Sequence, residues 1–338
     1  GAETYEVWRA TDGAPELIGI SGSTNYLDRA VEVGVEYFYR LRGVNPIGTS
    51  EWSEGAWGWC RAARDDFTGN GFSDLWYYHA PNGTWYVIVG EGETARAQLG
   101  GPDTRPVPAD YDGDGRADPM VYEPLTGYWA ALLSGSGYQQ VEVSGWGGPG
   151  SVPAPGDFDG DGLTDPAVYY EDTGLWRVWL SGSGYAEVAA YLGGPGRQAV
   201  PGDFDGDGLA DPAVYSAADG KWYIWESGSG YALREIADWS LGGRSVIPVA
   251  GDYLGIGHDV PGLYYRESGL WYFRRADGTT RMEEFGHDAA TPLIGDYDGD
   301  GVTDLGLIYR ERFETIWQLL MSEEGYREVS GSFGRPRP

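Results

Sequence analysis

The chain has 338 residues, with 52 Asp and Glu against 23 Lys and Arg, so its formal net charge is −29. This acidity argues against nucleic acid or an anionic membrane as a partner, because both would repel the chain. The hydrophobic fraction of 41% is too high for a disordered acidic tail. The sequence contains no apolar run of about 18 residues, so it predicts no membrane-spanning helix. A single cysteine, Cys60, excludes an intrachain disulfide and a cysteine-rich metal site.

The first 60 or so residues alternate apolar and polar side chains, which predicts β-strands. They resemble the later part of a fibronectin type III domain, with Tyr5–Arg9 similar to its C strand and Val35–Val44 to its F strand. Tyr37 and Tyr39 fall near the tyrosine-corner position of that family. The resemblance implies a partial β-sandwich over residues 1–62 that lacks about two N-terminal strands. We favour truncation or processing over strands donated by a neighbouring molecule.

The remaining residues, 63–338, contain a repeated acidic motif followed by an apolar segment. Each unit has an A segment before the motif, a B segment after it, and then C and D segments rich in Val, Tyr and Trp and bounded by Gly, Pro and Asp. Four short strands per unit at a period of 44 to 49 residues predict a β-propeller. The motif starts at Asp66, Asp110, Asp157, Asp203, Asp252 and Asp296.

Six motifs predict six blades, with a seven-bladed ring or an open array in a longer chain as alternatives. The first unit lacks a clear A strand, because RAARDDF precedes its motif. The C-terminal run SFGRPRP resembles the linker LGGPDTRPVP between two units. The C-terminus could therefore begin an A segment that closes the ring against the first blade.

The most regular motif lies in Gly156–Tyr170, GDFDGDGLTDPAVYY, where aspartates alternate in a glycine-bearing loop. Two like charges about 4 Å apart cost on the order of 4 kcal/mol, so four carboxylates together imply a counter-cation. Hard oxygen ligands in a flexible loop favour calcium. The loop is not an EF-hand, because its twelfth position is Val168 rather than Glu and its flanks are strands. The expected ligands are the Leu163 carbonyl and the side chains of Asp157, Asp159, Asp161 and Asp165.

The other five loops keep this pattern to different degrees. Three are complete and predict three further calcium sites, at Asp110, Asp112, Asp114 and Asp118, at Asp203, Asp205, Asp207 and Asp211, and at Asp296, Asp298, Asp300 and Asp304. The first loop predicts a weaker site at Asp66, Asn70 and Asp74, because Thr68 and Asn70 remove two charges.

The fifth loop is broken, so we expect no calcium there. Its ligand positions hold Asp252, Leu254, Ile256 and Val260, and Asp259 lies one residue out of register. Apolar packing is expected to close this loop in place of a metal.

The pattern D-x-D-x-D-G-x-x-D followed by an apolar strand resembles the FG-GAP and VCBS repeats of integrin α-subunits and of bacterial surface and secreted proteins. The resemblance covers Asp65–Pro338. It implies a calcium-stabilised propeller with its metal loops on one rim. It does not imply a single function, because such propellers occur in adhesins, lectin-like proteins and lyase modules.

No catalytic motif is present, and none of the three histidines lies in a metal or nucleophile motif. Carboxylate pairs recur with the fold, whereas a catalytic pair should occupy one position, so we do not expect an enzyme. The aromatic residues of the C segments either pack between blades or offer faces to sugar rings. They are Trp129, Trp176, Trp179, Trp222, Trp225, Trp271 and Trp317, with Tyr86 and Tyr223 nearby.

These observations favour a non-catalytic, calcium-stabilised module that is secreted or on the cell surface and serves adhesion or assembly into a fibre or coat. Its partners would be other protein chains or an extracellular glycan. The alternatives are a carbohydrate-binding propeller and a polysaccharide lyase or hydrolase module. The compartment is inferred from calcium, since extracellular modules bind it at about 10⁻⁴–10⁻³ M.

Overall fold

The computed structural model is all-β, with short 3₁₀ turns as the only helices among the residues it describes. These are residues 2–11, 14–22, 26, 28, 36–59, 64–89, 93–237, 239, 241–243, 245–312, 314–322 and 326–333. The chain divides into two compact units, Gly1–Ala62 and Ala63–Pro338. None of the described helices is long and apolar enough to cross a membrane. The prediction of an all-β chain is therefore confirmed.

The first unit forms one antiparallel sheet in the order β2-β1-β3-β4, and β5 also pairs with β3. Val7 and Tyr37 are its buried side chains in the described part, and the Arg42 guanidinium lies over the rings of Trp8 and Trp52. The described residues of this unit form no second sheet. Val35, the start of the expected F strand, lies outside them. The strands are β1 (Thr4–Ala10), β2 (Glu16–Ser21), β3 (Glu36–Asn45), β4 (Gly48–Thr49) and β5 (Ala56–Trp59).

The described residues of the second unit form six antiparallel sheets, one for each motif, and we call these sheets blades 1 to 6. Blade 1 has three described strands, as its missing A segment predicts, and the others have four. Blade 1 comprises β6 (Trp76–His79), β7 (Thr84–Val89) and β8 (Glu93–Gln98). Blade 2 comprises β9 (Arg105–Pro106), β10 (Met120–Glu123), β11 (Tyr128–Leu133) and β12 (Gln139–Val143). Blade 3 comprises β13 (Ser151–Pro153), β14 (Ala167–Tyr170), β15 (Leu175–Leu180) and β16 (Ala186–Tyr191).

Blades 4 to 6 repeat the same order of four hydrogen-bonded strands. Blade 4 comprises β17 (Arg197–Ala199), β18 (Ala213–Ser216), β19 (Lys221–Glu226) and β20 (Ala232–Ile236). Blade 5 comprises β21 (Val246–Gly251), β22 (Val260–Tyr265), β23 (Leu270–Arg274) and β24 (Thr280–Glu284). Blade 6 comprises β25 (Thr291–Gly295), β26 (Asp304–Glu311), β27 (Glu314–Met321) and β28 (Arg327–Ser332). The 3₁₀ turns are Ala80–Asn82, Ser134–Ser136, Ser181–Ser183 and Ser227–Ser229.

A ring of backbone hydrogen bonds joins the blades. In each loop the carbonyl of the first aspartate accepts an N–H from the next blade, at 2.6–2.8 Å. The last bond, from Ser73 of blade 1 to Asp296 of blade 6, joins the last blade to the first, so the six described sheets form a closed, propeller-like ring. The six bonds run from the N–H of Ala117 to the carbonyl of Asp66, and in the same way from Thr164 to Asp110, from Ala210 to Asp157, from Asp259 to Asp203, from Thr303 to Asp252 and from Ser73 to Asp296.

The ring leaves little space between loops. A Cβ added to Gly156 would lie 2.7 Å from the Cβ of Ala210 in the next blade, so glycine is needed at this close approach. The end of the chain also reaches blade 1, because the ring of Phe333 lies 6.0 Å from that of Tyr77. Residues 334–338, the rest of the expected closing segment, lie outside the described residues.

The tryptophans of the C segments pack between blades. Trp129, Trp176, Trp222 and Trp271 are buried, and three of them donate their indole N–H to a backbone carbonyl at 2.7–3.3 Å. Burial of such large rings contributes about 1.5–3 kcal/mol each. The packing interpretation is confirmed for these four residues, which offer no face to a sugar. Trp179, Trp225 and Trp317 are half-buried, Tyr86 is buried and Tyr223 is half-buried.

The fifth blade contributes an ion pair to the ring. Asp259 is the residue of blade 5 whose backbone N–H donates to the preceding blade. Its carboxylate accepts from the Asp203 backbone N–H at 3.1 Å and from Arg64 at 3.1 Å. Arg64 also donates to the Ala250 carbonyl at 3.1 Å. The start of the second unit is thus held to blade 5, although 195 residues separate the two side chains.

Replacing Arg64 by methionine should lower the free energy of unfolding by about 1–2 kcal/mol, because the Asp259 carboxylate would lose its charged partner. The estimate is modest because the Arg64 side chain is 45% exposed. Urea unfolding at constant calcium would measure the change, and Arg105→Met, at an exposed position of β9, is the control. Equal midpoints for the two variants would contradict a role for the ion pair.

Candidate metal centres

The first aspartate folds each complete loop around its own carboxylate. In blade 3, Asp157 accepts the Gly160 N–H at 2.7 Å and the Gly162 N–H at 3.0 Å. Both glycines have positive φ, 78° and 87°, a conformation that residues with a Cβ rarely adopt. The alternation of Asp and Gly in the sequence therefore specifies the loop locally.

Three carboxylates converge in this loop. Asp157, Asp159 and Asp165 each offer an oxygen, and these oxygens lie within 4.8 Å of one another. One oxygen of Asp159 (Oδ1) is buried and has no hydrogen-bond partner. A buried carboxylate oxygen without a donor is costly unless a cation satisfies it. The donor set is all oxygen, so these residues fit a hard cation such as calcium.

The other three complete loops bring carboxylates together in the same way. The Oδ1 atom of Asp112 repeats the buried, unpartnered oxygen of Asp159. In blade 6 the cluster includes the third aspartate of the motif instead of the fourth. The clusters are Asp110, Asp112 and Asp118; Asp203, Asp205 and Asp211; and Asp296, Asp298 and Asp300.

The structure places the third aspartate of blades 2 to 4 beside the cluster and against a serine. In blade 3, Asp161 accepts from the Leu163 N–H at 2.9 Å and from the Ser181 hydroxyl at 3.0 Å. Asp114 and Asp207 bond to Ser134 and Ser227 in the same way. Asp304 of blade 6 accepts from the Ser322 N–H. The Leu163 carbonyl remains a predicted ligand.

A serine turn between the C and D strands completes the loop in blades 2 to 4, and the sequence reasoning missed its role. In blade 3, Ser181 donates its N–H to Asp165 at 2.6 Å, and Gly182 donates to Asp159 at 3.1 Å. Ser134 and Ser227 make the equivalent bond in their blades. The G-S-G-Y segments of these turns recur once in each of blades 2 to 4, which by itself predicts no more than a repeated turn. Their constant spacing from the aspartates in blades 2 to 4 was the available signal.

Burial of these carboxylates raises their pKa values. The pKa of Asp118 and of Asp165 is raised to about 6, and that of Asp304 to about 7, chiefly because burial disfavours the charged form. Backbone N–H donors to each carboxylate oppose this rise without cancelling it. A cation in the cluster would favour the ionised form and offset the cost of burial.

The first loop keeps the shape with fewer charges. Asp66 accepts from Gly69 and Gly71 N–H groups at 2.7 Å, and Asp74 accepts from the Thr68 N–H at 2.9 Å. The side-chain oxygen of Asn70 accepts a hydrogen bond from the Phe72 N–H. Two carboxylates and an amide are available here, so a weaker site remains a prediction.

The fifth loop is closed by its own backbone and by apolar packing. Asp252 accepts from the Ile256 N–H at 2.9 Å and the Gly257 N–H, while Leu254 packs against the core of blades 5 and 6. The displaced Asp259 serves the ring ion pair with Arg64 rather than a metal cluster. His258 packs over Gly206 of the preceding loop, as a turn residue would.

Comparisons with known proteins place this chain in no family. No family model matches the sequence, and no curated protein is similar to it. Virginiamycin B lyase from Staphylococcus aureus is similar in structure at a TM-score of 0.49 and 11% identity, covering 82% of this chain and 89% of that one. Rhamnogalacturonan lyase from Bacillus licheniformis has a TM-score of 0.39 at 14% identity, covering 91% and 83%. These likenesses are too distant to transfer an activity.

Calcium stoichiometry should follow the intact clusters. We expect four or five ions per chain, because four loops are complete and one is weakened. Asp159→Ala should remove one ion by depriving its loop of the position that carries the unpartnered oxygen, whereas Asp252→Ala should leave the count nearly unchanged. Equilibrium dialysis with metal analysis would count the ions, and six per chain would contradict the interpretation of the fifth loop.

The metal-free chain should become more stable as the pH falls. The buried carboxyls have pKa values near 6 and 7 when folded, against 3.8 ordinarily, so between about pH 4 and 7 the folded state binds more protons. Stability in a chelator should therefore rise on going from about pH 8 to about pH 5. In calcium it should fall, because metal ligands must be deprotonated. Melting temperatures that decrease equally in chelator and in calcium as the pH falls would exclude this explanation.

Proposed function

We propose that the chain is a calcium-stabilised extracellular module whose role is adhesion or assembly rather than catalysis. The observation that carries this proposal is the repetition of one carboxylate cluster in four blades, each tied to the serine or serine turn of its own blade. A metal that recurs with the fold stabilises it, whereas a catalytic metal would occupy one site. The second unit would then be a propeller of the FG-GAP and VCBS type, joined to a fibronectin type III-like unit.

The extracellular assignment follows from the proposed calcium sites. Extracellular modules bind calcium at about 10⁻⁴–10⁻³ M, and cytosolic calcium would leave sites of that affinity empty. Empty loops would retain buried carboxylates that repel one another, and the ring would be weakened at four points. The net charge of −29 would also be partly neutralised by bound cations.

The proposed role would bring the chain into contact with other protein chains or with extracellular glycans. A polysaccharide lyase or hydrolase is the alternative. Such an enzyme would need an acid and a base confined to one position, whereas the carboxylate clusters of the described blades recur at equivalent positions.

Calcium removal tests the stabilising role and the adhesive role together. At about tenfold saturation each site contributes about 1.4 kcal/mol, so chelation should lower the melting temperature by roughly 10 °C or more. Beads coated with the chain should adhere to immobilised chain or to immobilised polysaccharide in calcium and detach in chelator.

Two results would contradict the proposal. The first is an unchanged melting curve in excess chelator, which would remove the calcium assignment. The second is release of new reducing ends or unsaturated products from a polysaccharide, which would establish an enzyme. Asp252→Ala, outside the four clusters, serves as the variant that should retain calcium-dependent adhesion.

A further inference from the structure

An open cleft lies between blades 1 and 2, away from the metal loops. Its volume is about 400 Å³, within the range of small-molecule sites. One wall is the linker Gln98–Thr104, and the other is formed by Glu123 and Tyr128, with Gln140 beside them. The metal-loop aspartates of these two blades do not line it.

Blade 2 differs from the other blades at the position that opens this cleft. Glu123 is the last residue of β10 and pairs directly with Tyr128, the first residue of β11. The equivalent pairs are His79 with Thr84, Tyr170 with Leu175, Ser216 with Lys221, Tyr265 with Leu270, and Tyr309 with Ile316. Blade 2 alone among these places a carboxylate opposite an aromatic ring.

In blades 3 and 5 a tyrosine closes the equivalent space. The Tyr170 hydroxyl donates to the Gly147 carbonyl at 3.1 Å, and the Tyr265 hydroxyl reaches the Gly242 carbonyl at 3.4 Å. Gly147 and Gly242 are the linker glycines that correspond to Gly100, which lines the cleft. Glu123 makes no such bridge, because its carboxylate accepts from Thr126 of its own blade. The cleft therefore lacks the tyrosine bridge that spans the equivalent space in blades 3 and 5.

The walls of the cleft are held in place. The Tyr128 ring packs against the core of blades 1 and 2, and its hydroxyl donates to Glu142 at 2.8 Å. Thr104 of the linker is within 2.6 Å of the Tyr78 hydroxyl and accepts the Gly101 N–H at 3.0 Å. A preformed wall lowers the entropic cost of binding.

We propose that this cleft binds a sugar unit and prefers a hexosamine with a free amine. The Tyr128 ring offers an apolar face to a pyranose ring, and the nearby amide of Gln140 suits its hydroxyls. The carboxylates of Asp103 and Glu123 line the cleft, and Glu142 lies beside Tyr128. This acidity favours an ammonium group and disfavours a uronate by like-charge repulsion.

The inference extends the proposed contact with glycans but does not depend on the calcium assignment, because the metal-loop aspartates do not line the cleft. Titration calorimetry with glucosamine, glucose and glucuronate should give binding in that order of affinity. Tyr128→Ala should weaken glucosamine binding about tenfold or more, which corresponds to ~1.4 kcal/mol. Glu123→Gln should reduce the preference for glucosamine over glucose, because it removes one of the carboxylates near the amine.

Glu123→Tyr should restore the closed arrangement of blade 3 and remove binding altogether. Leu175→Ala, at the position of Tyr128 in blade 3, is the matched control and should bind normally. Each variant is checked for an unchanged calcium count and melting temperature, so loss of folding is separated from loss of the site.

Four outcomes would overturn the inference. One is the absence of saturable binding by any of the three sugars. Another is glucuronate binding as tightly as glucosamine. The third is equal weakening by Tyr128→Ala and Leu175→Ala. The fourth is binding of Nα-acetyl-lysine methylamide, whose side-chain amine is free, as tightly as glucosamine. That result would show that the cleft selects an amine without a sugar ring.

Discussion

The first aspartate of each repeat holds the second unit together in two ways. Its carboxylate accepts N–H groups of its own loop, as Asp157 does from Gly160 and Gly162. Its carbonyl accepts an N–H from the next blade, as in the bond from Ala210. Because one residue shapes the loop and joins two blades, it is retained even where the metal cluster is lost, at Asp252. Loop geometry and ring closure therefore depend on the same side chain and its backbone.

The metal clusters add a second constraint that is electrostatic. Folding brings three carboxylates of a complete loop within 4.8 Å and buries part of them, which is unfavourable without a cation. The serine turn supplies N–H and hydroxyl donors, and these bonds orient the carboxylates between two strands of the same blade. The unpartnered oxygens of Asp112 and Asp159 show that the donors from the chain are not sufficient. Calcium would then act as a link between loop and strand rather than as a reagent.

The departures from the repeat carry the individual features of this chain. In blade 5 the displaced Asp259 pairs with Arg64 and secures the start of the ring. In blade 2 the replacement of the bridging tyrosine by Glu123 opens a cleft beside Tyr128. Both changes keep the strands and their register, since they alter side chains at positions where a blade meets its neighbour. A symmetrical frame thus tolerates a distinct side-chain pair in each of these two blades without loss of the ring.

The sequence by itself determined the strands, the loops and their number. Alternating Val, Tyr and Trp segments, and the aspartates spaced by glycines, act through local conformation and hydrogen bonds within a few residues, so a single unit shows them. The tertiary structure decided ring closure at six blades, the partnership of Asp161 with Ser181, and the burial of Trp176. It also decided the ion pair between Arg64 and Asp259, and the cleft. These features join residues that are distant in the chain, and no local periodicity encodes which side chains will meet.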